Sequence, residues 1–269
     1  MLSADRRHAD IVIKPKNPSR QAQAVAIADH EKVDPYRRAG TCIPAILPLC
    51  SLTRSMPAIY LRFTSARDAL VLHSMLSSLP LNYFSRFKVA TNHLTQGIVE
   101  SLPITPLSRV DAMCNSIGLP SFVDTRALEL VYSSWDLAPF AADLGYEGPP
   151  LGWGETSRTL LRCELDAFYF RLYSISRDEA ANILESFPSV RREDDSQYGE
   201  FRTRRIILDI YDLSVSGKAE RNEGRCQTSL APPPADPSVA HSSGTLSKDS
   251  GRMRGEAEGI LHFTDEEQL

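Results

Sequence analysis

Long hydrophobic runs are absent from this sequence of 269 residues. No stretch approaches the roughly 18 to 20 consecutive apolar residues that a transmembrane helix needs. The N-terminal residues, MLSADRRHAD, also lack the apolar core of a secretory signal peptide. These absences predict a soluble protein that has no membrane partner, and the chain is long enough to bury a substantial core.

Paired cysteines are absent as well. The cysteines are Cys42, Cys50, Cys114, Cys163 and Cys226. They show no CxxC spacing and no paired histidines, so the sequence indicates neither a zinc site nor a disulfide framework. This pattern is typical of a reducing, cytoplasmic compartment. Cys163 falls inside a helical pattern, and we expect it to be a small buried residue.

The sequence also lacks the signatures of common catalytic sites. No G-x-S-x-G, H-E-x-x-H or Walker sequence occurs, and no D…[D/E]xK pattern that could hold magnesium lies in a strand context. His73 and His93 have no Cys or Asp partner at catalytic spacing. The formal net charge of −4 provides no bulk attraction for nucleic acid, so any such binding must come from local clusters.

The clearest secondary-structure pattern lies in residues 158–213, which predict three helices. The apolar residues of the first helix recur at steps of four and three: Leu161, Leu165, Phe168 and Leu172. Ser176, followed three residues later by Glu179, is a capping box that begins the second helix, and Pro188 is expected to end it. After a charged turn, a third amphipathic helix begins near residues 198–200.

The first half of the chain predicts a small sheet and several helices. Residues 41–50, TCIPAILPLC, contain two prolines and are predicted to be an extended edge segment, and residues 57–63 alternate like a strand. Together with residues 98–99 these pieces predict a sheet of two or three strands. Ser65 is expected to cap a helix over residues 66–76.

Further helices are predicted over residues 81–89, 107–117 and 125–137. The apolar side of the helix over 81–89 is expected to be aromatic: Tyr83, Phe84 and Phe87. A glycine- and proline-rich joint, GYEGPPLGWG, follows at residues 145–154, and we expect Trp135 and Trp153 to pack it.

Composition divides the chain further. From residue 214 onward almost no large apolar residue occurs before residue 259, so ordering this stretch would cost more entropy than its burial could offset. The predicted divisions are a poorly ordered segment 1–35, an α+β region 36–145, a helical region 146–213 and a disordered tail 214–269. The predicted fold class is α+β and mainly helical, with a small N-terminal sheet with helices and then a C-terminal helical layer.

Two groups of polar side chains are candidates for binding. The first consists of arginines expected to contact phosphates: Arg191, Arg192, Arg202, Arg204 and Arg205. A solvated face held by ion pairs explains them equally well. The second group, in and before the polar loop ATNHLTQG, contains side chains able to read base edges or a groove: Arg86, Lys88, Asn92, His93 and Gln96. A connecting loop is also commonly polar without any such role.

Two stretches carry a resemblance to a known family. ELDAFYFRLYSISRDEAANILESFPSVRREDDSQYGEFRTRRIILDIYD, residues 164–212, resembles the C-terminal region of large restriction–modification enzymes that fuse an adenine-specific DNA methyltransferase to a target-recognition region. LVLHSMLSSLPLNYFSRFKVATNHLTQGIVESLP, residues 70–103, resembles the segment that closes their target-recognition part. Both occur in the order found in that family, and the resemblance covers about residues 36–213.

The resemblance implies a non-catalytic DNA-recognition portion of such an enzyme, whose partners are double-stranded DNA and a separate methyltransferase or nuclease subunit. The full-length family holds S-adenosylmethionine with a glycine-rich turn after a strand, and it holds the target amine and stacks the flipped base with an [N/D/S]-P-P-[Y/F/W] tetrad. The Pro-Pro pairs, in GPPL and APPP, do not fit that tetrad. We therefore expect no catalytic residue, metal or cofactor in this chain. The alternative is a truncated remnant or a protein-docking module without DNA specificity.

Overall fold

The structure is a computed structural model that describes residues 24–28, 42–48, 58–59, 65–89, 96–215 and 232–241. Within these residues, one small sheet is accompanied by ten α-helices. The predicted class, α+β and mainly helical, is therefore confirmed. In the same part of the chain, no helix is both long enough and apolar enough to cross a membrane.

The sheet has the order β2-β1-β3 and is antiparallel throughout. Its central strand is β1 (Ala24–Ala28), which pairs with β2 (Ile43–Leu47) and with β3 (Ala58–Ile59). The proline-containing segment forms an edge strand as predicted, because a proline cannot donate to a second neighbour. The central strand comes from the segment expected to be poorly ordered, since its small residues give little strand signal.

Six helices follow in the first half of the chain: α1 (Ala66–Ser77), α2 (Leu79–Lys88), α3 (Gln96–Glu100), α4 (Leu107–Ser116), α5 (Phe122–Val131) and α6 (Ala138–Asp143). The predicted cap of α1 is confirmed, because Ser65 Oγ accepts from the Asp68 N–H and the Asp68 carboxylate accepts from the Ser65 N–H. The predicted helix 125–137 is instead α5 followed by a 3₁₀ turn, Trp135–Leu137. Ile98 and Val99, predicted to join the sheet, lie in α3.

The predicted inner face of α2 was wrong. Phe87 is 72% exposed and Phe84 is 36% exposed, whereas Asn82 and Ser85 are buried. The amide of Asn82 explains this orientation, since its Oδ1 accepts from the Cys42 N–H at 2.8 Å and its Nδ2 donates to Ser78 O at 3.0 Å. These hydrogen bonds satisfy the Cys42 N–H and the Ser78 carbonyl. The aromatic side of α2 therefore faces solvent.

The C-terminal layer contains four helices: α7 (Glu155–Leu172), α8 (Arg177–Glu185), α9 (Pro188–Tyr198) and α10 (Arg202–Val215). The capping box of Ser176 and Glu179 is confirmed at the start of α8. The predicted charged turn after Pro188 was wrong, because that stretch forms α9. Proline is favoured in the first turn of a helix, and Gly199 at φ 73° ends α9 with the left-handed conformation typical of a helix C-terminus.

The core joins the two regions that the sequence divided at residue 145. The ring of Phe168 on α7 stacks on Phe122 of α5 with centroids 5.4 Å apart, and Tyr169 Oη donates to Ser74 Oγ at 2.9 Å. Cys163 is buried as predicted. The helices on both sides of the glycine- and proline-rich joint therefore contribute to shared apolar clusters.

The joint itself is packed by tyrosines. Tyr132 Oη donates to Gly148 O at 3.2 Å, and the ring of Tyr132 meets that of Tyr146 edge to face at 5.8 Å. The prediction that tryptophans would pack the joint was wrong, because Trp135 and Trp153 are 44% and 60% exposed. A phenol can reach the free carbonyls of such a joint, and an indole N–H at these positions does not.

Residues 232–241, inside the stretch predicted to be disordered, pack against the joint. Ala235 N donates to Glu129 Oε2 and Gly152 N donates to Val239 O, both at 2.8 Å. A Cβ on Gly152 would lie 2.6 Å from Val239 O, so this close approach requires glycine. Backbone hydrogen bonds rather than large apolar side chains hold this segment, which is why composition did not reveal it. The tail predictions for 216–231 and 242–269 lie outside the described residues.

Candidate functional site: an arginine surface and a polar cavity

The arginines predicted to contact phosphates lie on α9 and α10, and we call them the arginine surface: Arg191, Arg192, Arg202, Arg204 and Arg205. Arg191 and Arg204 share one carboxylate, since Arg191 Nη1 lies 2.8 Å from Glu185 Oε2 and Arg204 Nε lies 3.2 Å from Glu185 Oε1. Their side chains are 54% and 36% exposed. The fold thus brings arginines from two helices to one acidic residue at the end of α8.

The remaining members of the arginine surface also have partners. Arg205 Nη2 lies 2.9 Å from Glu200 Oε1, and this pairing lowers the pKa of Glu200. The Arg202 guanidinium lies 4.4 Å from the centre of the Tyr198 ring, and Arg192 Nε donates to Pro188 O at 3.3 Å. The ion pairs that the alternative explanation requires are therefore present, and a phosphate would have to replace carboxylates here.

The second predicted group is only partly described. The Arg86 guanidinium lies 3.9 Å from the centre of the Phe187 ring and donates to Ser186 O at 2.6 Å, so it is held within the chain. Burial lowers the pKa of Arg86. Lys88 is exposed in the last turn of α2. Asn92 and His93 lie outside the described residues, and the same is true of the side chain of Gln96, the first residue of α3.

A cavity of about 470 Å³ lies between β2, α1, α2 and α7, and we call it the polar cavity after the charged side chains in its otherwise largely apolar wall. Its charged and titratable lining residues are Cys42, His73, Arg158, Arg162, Cys163 and Asp166. Asp166 supplies the only carboxylate among them. Cavities of this volume are typical of small-molecule sites. Among the described residues, none of those predicted to contact DNA lines it, so the cavity and the arginine surface are separate features.

His73 and Asp166 are both held in the cavity wall by backbone contacts. His73 Nε2 lies 3.1 Å from Pro44 O, and because a carbonyl only accepts, Nε2 carries the hydrogen. Burial lowers the pKa of His73 to about 4 and leaves its Nδ1 without a hydrogen-bond partner among the described residues. Asp166 Oδ1 accepts from the Leu79 N–H at 2.7 Å, and burial raises the pKa of Asp166 to about 7.

Two arginines on α7 line the same cavity. Arg158 is buried, donates from Nη1 to Glu129 O at 3.1 Å and from Nη2 to Leu130 O at 2.6 Å, and stacks on Trp153 at 3.7 Å. Its Nε has no hydrogen-bond partner in the part of the chain that the structure describes. Burial, reinforced by the charge of Arg162, lowers the pKa of Arg158 to about 10.

The cavity was not predicted from the sequence. Arg158, Arg162 and Asp166 recur at a spacing of four and so lie on one face of α7, a signal that the sequence does contain. Their meeting with His73 depends on how α1 packs against α7, which no local pattern shows. Among the described residues, no group of three or more His, Cys, Asp or Glu side chains could hold a metal ion.

Comparisons with models of protein families, with curated proteins and with solved structures found no match to this chain. The resemblance to restriction–modification methyltransferases therefore depends on the two stretches quoted above. The predicted DNA contacts follow from that resemblance, and so does the expectation that this chain holds no cofactor. Both stay predictions.

Proposed function

We propose that this chain is a non-catalytic DNA-recognition portion of an adenine-specific methyltransferase of the restriction–modification kind. The observation that carries the proposal is the arginine surface, on which exposed guanidinium groups from α9 and α10 gather around Glu185. Guanidinium groups bind phosphate oxygens with two parallel hydrogen bonds, so such a surface suits a nucleic-acid backbone. S-adenosylmethionine and catalytic groups would come from a separate subunit.

The packing of the two resembling stretches supports treating them as one module. The first contains α2, and the second contains the C-terminal half of α7 together with α8 and α9. Arg86 of the first stretch donates to Ser186 O of the second, and the N–H of Leu79 donates to Asp166 Oδ1. Both contacts connect residues far apart in sequence, so the stretches are parts of one packed unit rather than two unrelated patterns.

DNA binding on this surface would proceed by exchange of partners. Exposed ion pairs contribute only about 0 to 1 kcal/mol each, so a phosphate can displace Glu185 from Arg191 and Arg204 at little cost. The carboxylate then remains close to the DNA and repels it. Glu185 is therefore expected to weaken DNA binding in the native chain while it holds the arginines in position.

The test is to measure binding of the purified chain to a random-sequence duplex by fluorescence anisotropy over a range of salt concentrations. Glu185→Gln should bind more tightly than the wild type, because two arginines lose their competitor. Glu147→Gln, an exposed residue outside the arginine surface, makes the same charge change and should have little effect. Arg204→Gln and Arg205→Gln should each reduce the slope of log affinity against log salt by about one.

Equal binding by the Glu185 and Glu147 variants, with an unchanged salt slope in the arginine variants, would contradict the proposal. That result would favour the second candidate, a protein-docking module without DNA specificity. The specific observation on its side is that the members of the arginine surface already have partners inside the chain. Selection of bound sequences from a pool of random duplexes distinguishes the two candidate functions, since only a recognition module enriches one short motif.

A further inference from the structure

The polar cavity carries more positive than negative charge. Arg158 and Arg162 line it, and Asp166 is the only acidic residue that the described part of the chain contributes to its lining. The lining therefore has a formal charge of +1 when Asp166 is ionised and +2 when Asp166 is protonated. Like charges on one wall of a partly buried site repel each other, so this arrangement favours a bound anion.

Arg162 is the residue of this lining that is available to bind a ligand. It is exposed, lines the cavity, and forms no hydrogen bond or ion pair with any part of the chain that the structure describes. The arginines of the arginine surface differ from it, because each of them has a partner. A guanidinium that lines a cavity, lies close enough to Asp166 to lower the pKa of that carboxyl group, and is not held by a hydrogen bond within the described residues is suited to contact a ligand.

Arg158 supplies a second, fixed guanidinium one turn away on α7. Its two Nη atoms are held by the carbonyls of Glu129 and Leu130, and its plane lies against Trp153. This packing prevents the side chain from turning away, so its positive charge is fixed at the cavity wall, although the Nε atom itself is closed off from solvent. A preorganised charge of this kind loses little conformational freedom when a ligand binds.

We propose that this cavity binds a small organic oxyanion, a molecule with a carboxylate or phosphate group, which Arg162 and Arg158 hold beside the carboxyl group of Asp166. A protonated Asp166 donates a hydrogen bond to the anion, whereas an ionised Asp166 repels it. The remaining titratable groups of the lining do not compete, because His73 is neutral near pH 7 and the burial of Cys42 and Cys163 raises their pKa values. This site is independent of the proposed DNA contacts.

The experiment is calorimetric titration of the full chain with sodium succinate and, separately, with inorganic phosphate, at about pH 6 and constant ionic strength. Binding of succinate alone identifies a carboxylate ligand, and binding of phosphate alone identifies a phosphate ligand. Arg162→Gln should weaken the affinity for the bound probe by about tenfold or more. Arg109→Gln, a matched change of an exposed arginine on α4, should leave that affinity unchanged.

Asp166→Asn provides the second readout. The ratio of the wild-type affinity to the affinity of the variant should fall between about pH 6 and about pH 8, because ionisation of the probe affects both chains equally and only the wild type has the carboxyl group. Arg204→Gln and an excess of duplex DNA should leave probe binding unchanged, so failure of the DNA proposal would not affect this one. Absence of binding by both probes, or equal binding by Arg162→Gln and the wild type, would overturn the proposal.

Discussion

The guanidinium of Arg86 lies 3.9 Å from the centre of the Phe187 ring and donates a hydrogen bond to Ser186 O at 2.6 Å. This contact connects α2 with the end of α8. Ser186 caps α8, so its carbonyl is one of the groups that the helix itself leaves without a partner. Arg86 therefore stabilises the junction between α2 and α8.

Arg86→Ala is expected to lower the free energy of unfolding by about 1 to 3 kcal/mol, because it removes a charged hydrogen bond and a cation–π contact. Urea unfolding followed by circular dichroism measures this change. Lys88→Ala removes an exposed positive charge from the same helix and should change stability by less than about 0.5 kcal/mol. Equal stability of the two variants would show that Arg86 does not hold the junction.

Local signals in the sequence predicted local structure well. Ser65 and Ser176 each precede an acidic residue by three positions, and both capping boxes form because all their partners lie within one helical turn. The apolar stripe on α7 likewise depends only on spacing along one helix. Such features need no knowledge of what packs against them, so the sequence was sufficient.

Other features depend on contacts between residues that are far apart in sequence, and these features were not predicted. The orientation of α2 depends on Asn82, whose Oδ1 accepts from the N–H of Cys42, and an aromatic stripe gave the opposite prediction. The position of residues 232–241 depends on hydrogen bonds to Glu129 and Gly152. The polar cavity similarly requires α1 and α7 to meet, which is a property of the packed chain.

The ion pair between Arg126 and Glu164 is buried, with both side chains 5% exposed and Arg126 Nε 2.6 Å from Glu164 Oε2. Glu164→Gln is expected to destabilise the chain by about 3 to 5 kcal/mol, since it leaves a buried guanidinium charge uncompensated. Asp212→Asn breaks the exposed pair with Arg177 and should destabilise the chain far less, because solvent screens an exposed ion pair. Chemical denaturation measures the free energy of unfolding of both variants. Similar losses would show that the buried ion pair is no more important for stability than the exposed one.

Gly152→Ala tests whether residues 232–241 are held against the joint. The added Cβ would lie 2.6 Å from Val239 O, so the segment must move away and lose its hydrogen bond to Gly152 N. Faster amide exchange at Ala235 and Val239 is the expected result in a hydrogen-exchange experiment. Gly97→Ala, where a Cβ meets nothing within 4 Å, should leave this exchange unchanged. Unaltered exchange in the Gly152 variant would show that the segment is not fixed there.

The buried carboxyl group of Asp166 makes the stability of the chain depend on pH. Asp166 has an ordinary pKa of 3.8, and burial raises it to about 7 in the folded chain. Between these values the folded chain binds a proton that the unfolded chain has lost, so stability falls as the pH rises from about 4 to about 7. His73 acts in the opposite direction below 6.5, because burial lowers its pKa to about 4 and the unfolded chain then binds the extra proton.

Comparison with Asp166→Asn isolates the carboxyl group, because His73 is present in both chains. The asparagine Oδ1 can still accept from the Leu79 N–H, so the variant retains that contact. The stability of the wild type relative to the variant should fall by up to about 1.4 kcal/mol per pH unit across that window and be constant above it. Urea unfolding at several pH values measures the difference, with Glu147→Gln as a control expected to give none. A constant difference for Asp166→Asn would show that this carboxyl group is ionised in the folded chain, and that an anion in the cavity would meet a negative charge.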